Sequence, residues 1–396
     1  MRRHRWIGIA LLLGATAGRL WAQNPEELLK TYTRNFVIAS LDIKVQIVQD
    51  AGATGLRELG PLYLQAVDYV LNNYALIESD QRFHQLAVLA TDLLKQAGYT
   101  AARHSVWRLF ETDSETGVRV SCLSALGTLA KGDEEIIRYM NLWLEAQNNV
   151  FQTGKVPDVY VIYAGVSALG ELGDRSSFPV LFGTMSLGYT SDITRLARES
   201  LFRLRGGLAE GLLGVLRDGP MPQKKLALEM ALSSDRLGEQ EKGRVAEFAM
   251  DVGLHSATSD NPSRQVAREI RFLAARALGE LQWSSATPLA VEHLDTVLQE
   301  YDRGVTDKLR LLEAIGCLGS MSTHEAAVRL TQYLVLLNSY TERSQEFDGR
   351  IVLAVVDSLG KLGDKVAFDD LMYVQYLSYS AEVKRAARAA LDGLRW

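Results

Sequence analysis

A histidine beside a glutamate can put two metal ligands on one helix, and this chain has that dipeptide once, at His324-Glu325. Glu292-His293 has it in reverse order. The six histidines stand at 4, 84, 104, 255, 293 and 324, and no other is next to an acid in this way. One pair cannot hold a two-metal centre. His324 also follows Ser322-Thr323, which reads as a helix start, so a surface or capping use is expected. A glycine-rich phosphate loop, a His-x-x-x-His pair, a Cys-x-x-Cys pair and a Gly-x-Ser-x-Gly elbow are all missing from the sequence. Cys122 and Cys317 each fall in the apolar stretch of a helix and read as core thiols rather than a disulfide. No catalytic, cofactor-binding or metal-binding residue is assigned, no cofactor is expected, and the chain is not read as an enzyme.

Tyrosine is the other chemistry-bearing residue that recurs. Tyr160 and Tyr163, Tyr333 and Tyr340, and Tyr373, Tyr376 and Tyr379 fall near helix faces in several segments. Tyr373 and Tyr376 are three apart and share a stripe, beside the Phe368-Leu371-Val374 face. Tyrosine brings a large contact area for little lost entropy. Tyr160, Tyr163, Tyr333, Tyr373 and Tyr376 are therefore candidate partner-binding residues, lining a groove for a peptide or helix. The alternative is that they fill gaps between repeats, with hydroxyls at the rim. Basic faces at Arg195, Arg198, Arg203 and Arg205, and at Lys384, Arg385 and Arg388, read as solvated surface paired with acids such as Glu199 or Asp364.

The elements that must position these residues announce themselves by a recurring phrase. It reads Ala125-Leu126-Gly127, Ala168-Leu169-Gly170, Ala277-Leu278-Gly279, Ala314-Ile315-Gly316 and Ser358-Leu359-Gly360, with glycines 43, 109, 37 and 44 residues apart. A period of this size predicts stacked two-helix units, an all-α solenoid. In one unit Val118, Cys122, Ala125, Leu126 and Leu129 mark one face of a first helix, Lys131-Gly132-Asp133 breaks it, and Ile136, Ile137, Met140 and Leu144 mark a second. Ile351–Leu362, Gly363-Asp364 and Phe368–Leu377 read alike, as do Ala164–Leu172, Gly173-Asp174 and Phe178–Leu187. Pro179 and Pro288 suit the first turn of a second helix. The motif glycine, lacking a side chain, lets a neighbouring helix approach. The segments 148–158, 256–263 and 338–349 read as loops.

The pattern Val-Arg-x-x-Cys-x-x-Ala-Leu-Gly-x-Leu, then Gly-Asp, then an apolar helix, resembles HEAT repeats, most closely the short type named after phycobilisome lyases. Val118-Arg119, Ile270-Arg271 and Val383-Lys384 match its basic position, and Gly173-Asp174 and Gly363-Asp364 its turn. The resemblance covers 115–190 and 263–396 well, 191–256 less well, and 24–112 faintly. It implies a curved right-handed stack of about nine repeats plus a terminal helix, with a concave protein-binding surface, and no particular reaction. HEAT-type enzymes exist, among them lyases, di-iron hydroxylases with repeated His-Glu pairs and DNA glycosylases with a basic concave face. The residues here do not supply those features.

Ahead of the helical pattern, Arg2, Arg3 and Arg5 precede an apolar stretch from Trp6 to Gly18 and then Arg19-Leu20-Trp21-Ala22. This is the layout of a secretory signal peptide, with cleavage after Ala22 or Ala17 and no lipobox cysteine, so a periplasmic or secreted protein is expected. The apolar run is shorter than the roughly 20 residues of a spanning helix. Loss of residues 1–22 removes four arginines and no acids, taking the net charge from −5 to −9. Such a chain repels phosphate backbones, so nucleic acid is not an expected partner. The expected organisation is 1–22 signal peptide, 23–112 a helical region of divergent repeats with a polar N-terminal cap, and 113–396 a HEAT-like array closed by Lys384–Trp396. The expected function is a non-enzymatic exported scaffold or adaptor holding protein partners along its surface, with any membrane association running through a partner. The competing readings are a lyase-like or metal-dependent enzyme on a HEAT scaffold, and a self-assembling envelope component.

Overall fold

The computed structural model describes residues 24–75, 80–257, 260–343 and 348–395. Residues 1–22, the expected signal peptide, and Trp396 lie outside the described residues. Among the described residues the regular structure is helical throughout, with 20 α-helices and short 3₁₀ turns, and no strand longer than an isolated bridge. No helix among them is long and apolar enough to cross a membrane. The chain forms two compact units, divided between Gly206 and Gly207. Both of these glycines have positive φ, a conformation that costs them no Cβ clash.

In the first unit the helices are α1 (Pro25–Ile38), α2 (Leu41–Ala53), α3 (Gly60–Asn72), α4 (Gln81–Ala97), α5 (Arg103–Thr112), α6 (Thr116–Leu129), α7 (Glu134–Gln152), α8 (Val159–Leu172), α9 (Phe178–Leu187) and α10 (Ser191–Leu201). The odd-numbered helices pack on one another in sequence, as do the even-numbered ones. The unit is thus two layers of helices with the core between them. The second unit repeats the arrangement with α11 (Leu208–Asp218), α12 (Met221–Ser233), α13 (Glu239–His255), α14 (Asn261–Glu280), α15 (Thr287–Asp302), α16 (Lys308–Gly319), α17 (His324–Glu342), α18 (Gly349–Leu362), α19 (Phe368–Tyr373) and α20 (Ala381–Asp392).

Local chemistry sets the helix ends. Asp133, Asp158, Asp307 and Asp348 cap α7, α8, α16 and α18 by accepting first-turn N–H groups. Pro179 and Pro288 occupy the first turns of α9 and α15, where a missing N–H costs nothing. Gly173 and Gly363 close α8 and α18 in the left-handed conformation, at φ 66° and 65°. Asp174 and Asp364 then cap the 3₁₀ turns that follow.

The recurring glycines mark helix-to-helix contact within the even layer. A Cβ on Gly127 would sit 3.1 Å from the Ala168 Cα of α8, and one on Gly360 3.2 Å from the Ala390 Cα of α20. Gly316 is the exception, because it faces open space. Gly319, three residues on, lies against Ser358 instead. The motif copy in α16 is therefore displaced by about one turn from the position where contact is made.

Several boundaries differ from expectation. Two of the three expected loops begin inside helices. α7 continues to Gln152 and α17 to Glu342, so Asn148 and Asn338 are buried helical residues. Only Thr153–Asp158 of the first segment leaves the helix, and residues 258–259 and 344–347 of the other two lie outside the described residues. The first helix exposes Glu26, Glu27, Lys30 and Arg34, and at the α1–α2 corner Val37, Ile38 and Ile43 are exposed as well. Lys44 is buried beside that corner. Its ammonium donates to the Phe36 and Val37 carbonyls at the end of α1 and lies 4.7 Å from the Phe36 and Tyr69 ring centroids. A helix C-terminus and two ring faces all favour a cation, which offsets its desolvation.

Candidate functional site

The last four helices of each unit follow one plan at an offset of 190 residues. Helices α7 and α17 begin at Glu134 and His324, α8 and α18 at Val159 and Gly349, α9 and α19 at Phe178 and Phe368, α10 and α20 at Ser191 and Ala381. The side-chain chemistry inside that plan is also duplicated. The buried Asn148 amide accepts from the Tyr189 hydroxyl at 3.1 Å and donates to Thr184 Oγ1 at 3.0 Å. The buried Asn338 amide accepts from the Tyr379 hydroxyl at 3.1 Å and donates to the Asp370 carbonyl at 3.2 Å. Burial pushes the Tyr189 phenol up to about 12 and raises that of Tyr379. The Gly173 carbonyl accepts from the Arg205 N–H at 2.9 Å, and the Gly363 carbonyl from the Arg395 N–H at 2.8 Å. Asn148, Asn338, Tyr189 and Tyr379 tie neighbouring helices together; of these side chains only that of Tyr379 was noted from sequence, and then as a surface tyrosine. Their signal, an Asn and a Tyr 41 residues apart in both halves, was available only by comparing the halves with each other.

Because the scaffold is shared, the positions that differ at the surface are informative. Tyr160 and Tyr163 project from α8 in the even layer of the first unit, at 72% and 45% exposure. Their counterparts in α18 are Arg350 and Leu353. Tyr373 and Tyr376 are exposed on α19 and the turn after it, in the odd layer of the second unit, where the first unit has Gly183 and Ser186. Val335 and Leu336 on the neighbouring α17 are exposed too, and replace Glu145 and Ala146. Tyr333 does not belong with these. It is 4% exposed inside the packing of α17, so it has no ring face to give a partner, and burial raises its phenol pKa. Each unit thus has one exposed candidate pair, Tyr160 and Tyr163 in the even layer of the first and Tyr373 and Tyr376 in the odd layer of the second.

The titratable groups mostly staple one repeat to the next. His84 and Asp113 are 3.1 Å apart, His324 and Asp364 2.7 Å, and the His255 ring lies 2.9 Å from both Asp251 and Glu292. His324 is the first residue of α17, after the Thr323 cap, with its side chain mostly in solvent. Arg119 and Arg271, at the motif's basic position, lie over aromatic rings. The Arg119 guanidinium is 4.5 Å from the Phe110 centroid, and that of Arg271 is 5.2 Å from Phe272 while pairing with Glu300 at 2.6 Å. Arg195 pairs with Asp192 and Arg203 with Glu199 on the surface.

His293 is different. It is completely buried in α15, edge-on to the Phe272 ring at 5.2 Å, and neither ring nitrogen has a hydrogen-bond partner. Burial first, and the Arg271 charge second, push its pKa down to about 3. The Cys122 and Cys317 thiols are buried and free, and burial pushes Cys317 up to about 12 and Cys122 higher still, so neither is a thiolate at neutral pH. Among the described residues no three His, Cys, Asp or Glu side chains gather as a metal site would require. No protein-family model matches the chain, and no curated protein matches it in a sequence comparison.

Proposed function

We propose that this chain is an exported, non-enzymatic scaffold of HEAT-like repeats that binds protein partners along the side-chain surfaces of its helix layers. The observation that carries the reading is the contrast inside a duplicated scaffold. Where the packing plan is the same in both units, exposed aromatic and aliphatic residues appear at Tyr160 and Tyr163 in one and at Val335, Leu336, Tyr373 and Tyr376 in the other. Packing does not require them, since the counterpart positions carry Arg, Leu, Glu, Ala, Gly and Ser. Tyrosine is enriched among the residues that anchor protein interfaces, and exposed apolar patches that the fold does not use mark interaction surfaces. The reading takes the number of repeats from the sequence pattern, about nine with a terminal helix. The basic-then-apolar start supports export to the periplasm or beyond.

The test is crosslinking capture of the tagged chain from its own cell envelope, with the Tyr160→Ser/Tyr163→Ser and Tyr373→Gly/Tyr376→Ser variants in parallel. One or two stoichiometric partners, lost with one of the pairs, are expected. Recovery of the chain alone would overturn the scaffold reading in favour of self-assembly.

A further inference from the structure

The outer face of α17 and α19 has the densest group of exposed apolar side chains in the second unit. Val335, Leu336, Met372, Tyr373 and Tyr376 are between 36% and 77% exposed. The two helices pack side by side, joined by the Asn338 amide on the Asp370 carbonyl and by the Tyr373 hydroxyl donating to Glu342 at 2.8 Å. The exposed residues of the two helices therefore belong to the outer face of one helix layer, and the Tyr373–Glu342 contact bridges them. Three carboxylates adjoin it. Glu342 holds only the Tyr373 hydroxyl, and neither it, Asp369 nor Asp370 is paired with a cation among the described residues. Burial, with Asp369 as its neighbour, raises the Asp370 carboxyl above the usual range, as expected where negative charge is left uncompensated.

Resting on the scaffold reading, we propose that this face docks an amphipathic helix of a partner protein whose apolar stripe is flanked by lysine or arginine. Three physical arguments select that occupant. Neither helix presents a strand edge, so an extended peptide has no ladder to pair with and side chains must make the contact. Apolar anchors on a helix recur at three- and four-residue spacing, which matches a surface formed by Leu336 and Val335 on one helix and Met372, Tyr373 and Tyr376 on the next. The unpaired acids at its border favour cations and repel the anionic headgroups of a lipid surface.

The experiment measures fluorescence anisotropy of labelled peptides of about 18 residues, long enough for five turns. One carries a leucine stripe flanked by lysines and another the same stripe flanked by glutamates. The full chain is expected to bind the lysine-flanked peptide at least tenfold more tightly, with a preference that shrinks as salt is raised. The exposed double variant Leu336→Asp/Tyr376→Asp is expected to lose at least tenfold in affinity, and Glu342→Gln/Asp369→Asn to lose most of the preference while keeping binding. Equal affinity for the two peptides, or undiminished binding by the Leu336→Asp/Tyr376→Asp variant, would overturn the proposal. Sedimentation velocity tests the second copy as occupant: a dimer that the double variant converts to monomer also overturns it. An envelope partner that still crosslinks to the double variant overturns this docking face and leaves the broader scaffold reading standing.

Discussion

The two units build their closing helices from the same plan and then spend their buried and exposed positions differently. Gly173 and Gly363, Asp174 and Asp364, Asn148 and Asn338, and Tyr189 and Tyr379 do identical jobs 190 residues apart. These are residues whose chemistry the backbone demands: a positive φ, a cap for orphan N–H groups, a buried amide with its partners satisfied. The difference lies where the backbone demands nothing, as at Tyr160 against Arg350 or Glu145 against Val335. It also reaches one core position. The 3₁₀ turns Thr100–Ala102 and Ser284–Ala286 align α5 with α15, and this places the fully buried Leu109 opposite the fully buried His293. One unit fills the site with an aliphatic side chain, and the other with an imidazole that has no hydrogen bond.

Exchanging those two residues breaks the comparison most severely. Leu109→His should destabilise the first unit by about 3 kcal/mol at pH 7, combining lost apolar packing with a buried, unsatisfied ring. His293→Leu should stabilise the second by roughly 1–3 kcal/mol, because it removes that penalty. Urea titration, with hydrogen exchange resolved by segment, would assign each change to its unit. Movement of both units together, or no gain from His293→Leu, would refute the account of the site.

Acid sharpens the same contrast. The unfolded His293 titrates at its ordinary value of 6.5 and the folded one at about 3, so below pH 6.5 protons favour unfolding. Its contribution is complete above pH 6.5 and falls by about 1.4 kcal/mol for each unit of pH down towards 3. Exchange protection of α14 and α15 should therefore decline with acid more steeply than that of α4 and α5. In His293→Leu that excess slope should vanish, and its persistence would place the titrating group elsewhere.

Two glycines one turn apart on α16 give a smaller and opposite pair of effects. A methyl on Gly319 would meet the Ser358 backbone at 3.1 Å, so Gly319→Ala should cost roughly 1–3 kcal/mol as an overpacked contact. Gly316 has open space, and Gly316→Ala should stabilise by up to about 1 kcal/mol through helix propensity alone. Thermal unfolding of the two variants decides it, and equal signs would mean that close approach is not what Gly319 provides. The smallest expected effect tests sameness. Asp174→Ala and Asp364→Ala each remove one cap, from Ser176 and Val366 N–H groups respectively, at about 1 kcal/mol each, and Asp364→Ala also loses the His324 contact, worth at most about 1 kcal/mol more at the surface. Values differing by more than that would show that the two turns are no longer equivalent.

Helices, and the turns that separate them, were legible because their determinants are local. The spacing of Val118, Cys122, Ala125 and Leu129 marks a helix face without reference to anything distant, and Gly-Asp ends a helix wherever it occurs. The same local signal misjudged Asn148 and Asn338, which look like loop residues because a bare amide prefers a turn. Only Tyr189, Tyr379 and the carbonyls across the repeat make burial acceptable. It also counted Tyr333 with the exposed tyrosines, since periodicity locates a face but not what covers it.

By itself the sequence determined an all-helical chain, where most helices begin and end, and that small residues recur near the ends of the first helices. Those properties follow from backbone sterics, capping and the 3.6-residue period, each set within a few residues. Only the tertiary structure decided that Gly319 rather than Gly316 makes the contact, that His293 has no partner, and that the helix exposing Val335 and Leu336 neighbours the one exposing Tyr373. Each depends on which side chains from segments far apart in sequence occupy the same few ångströms, and a local pattern does not encode that.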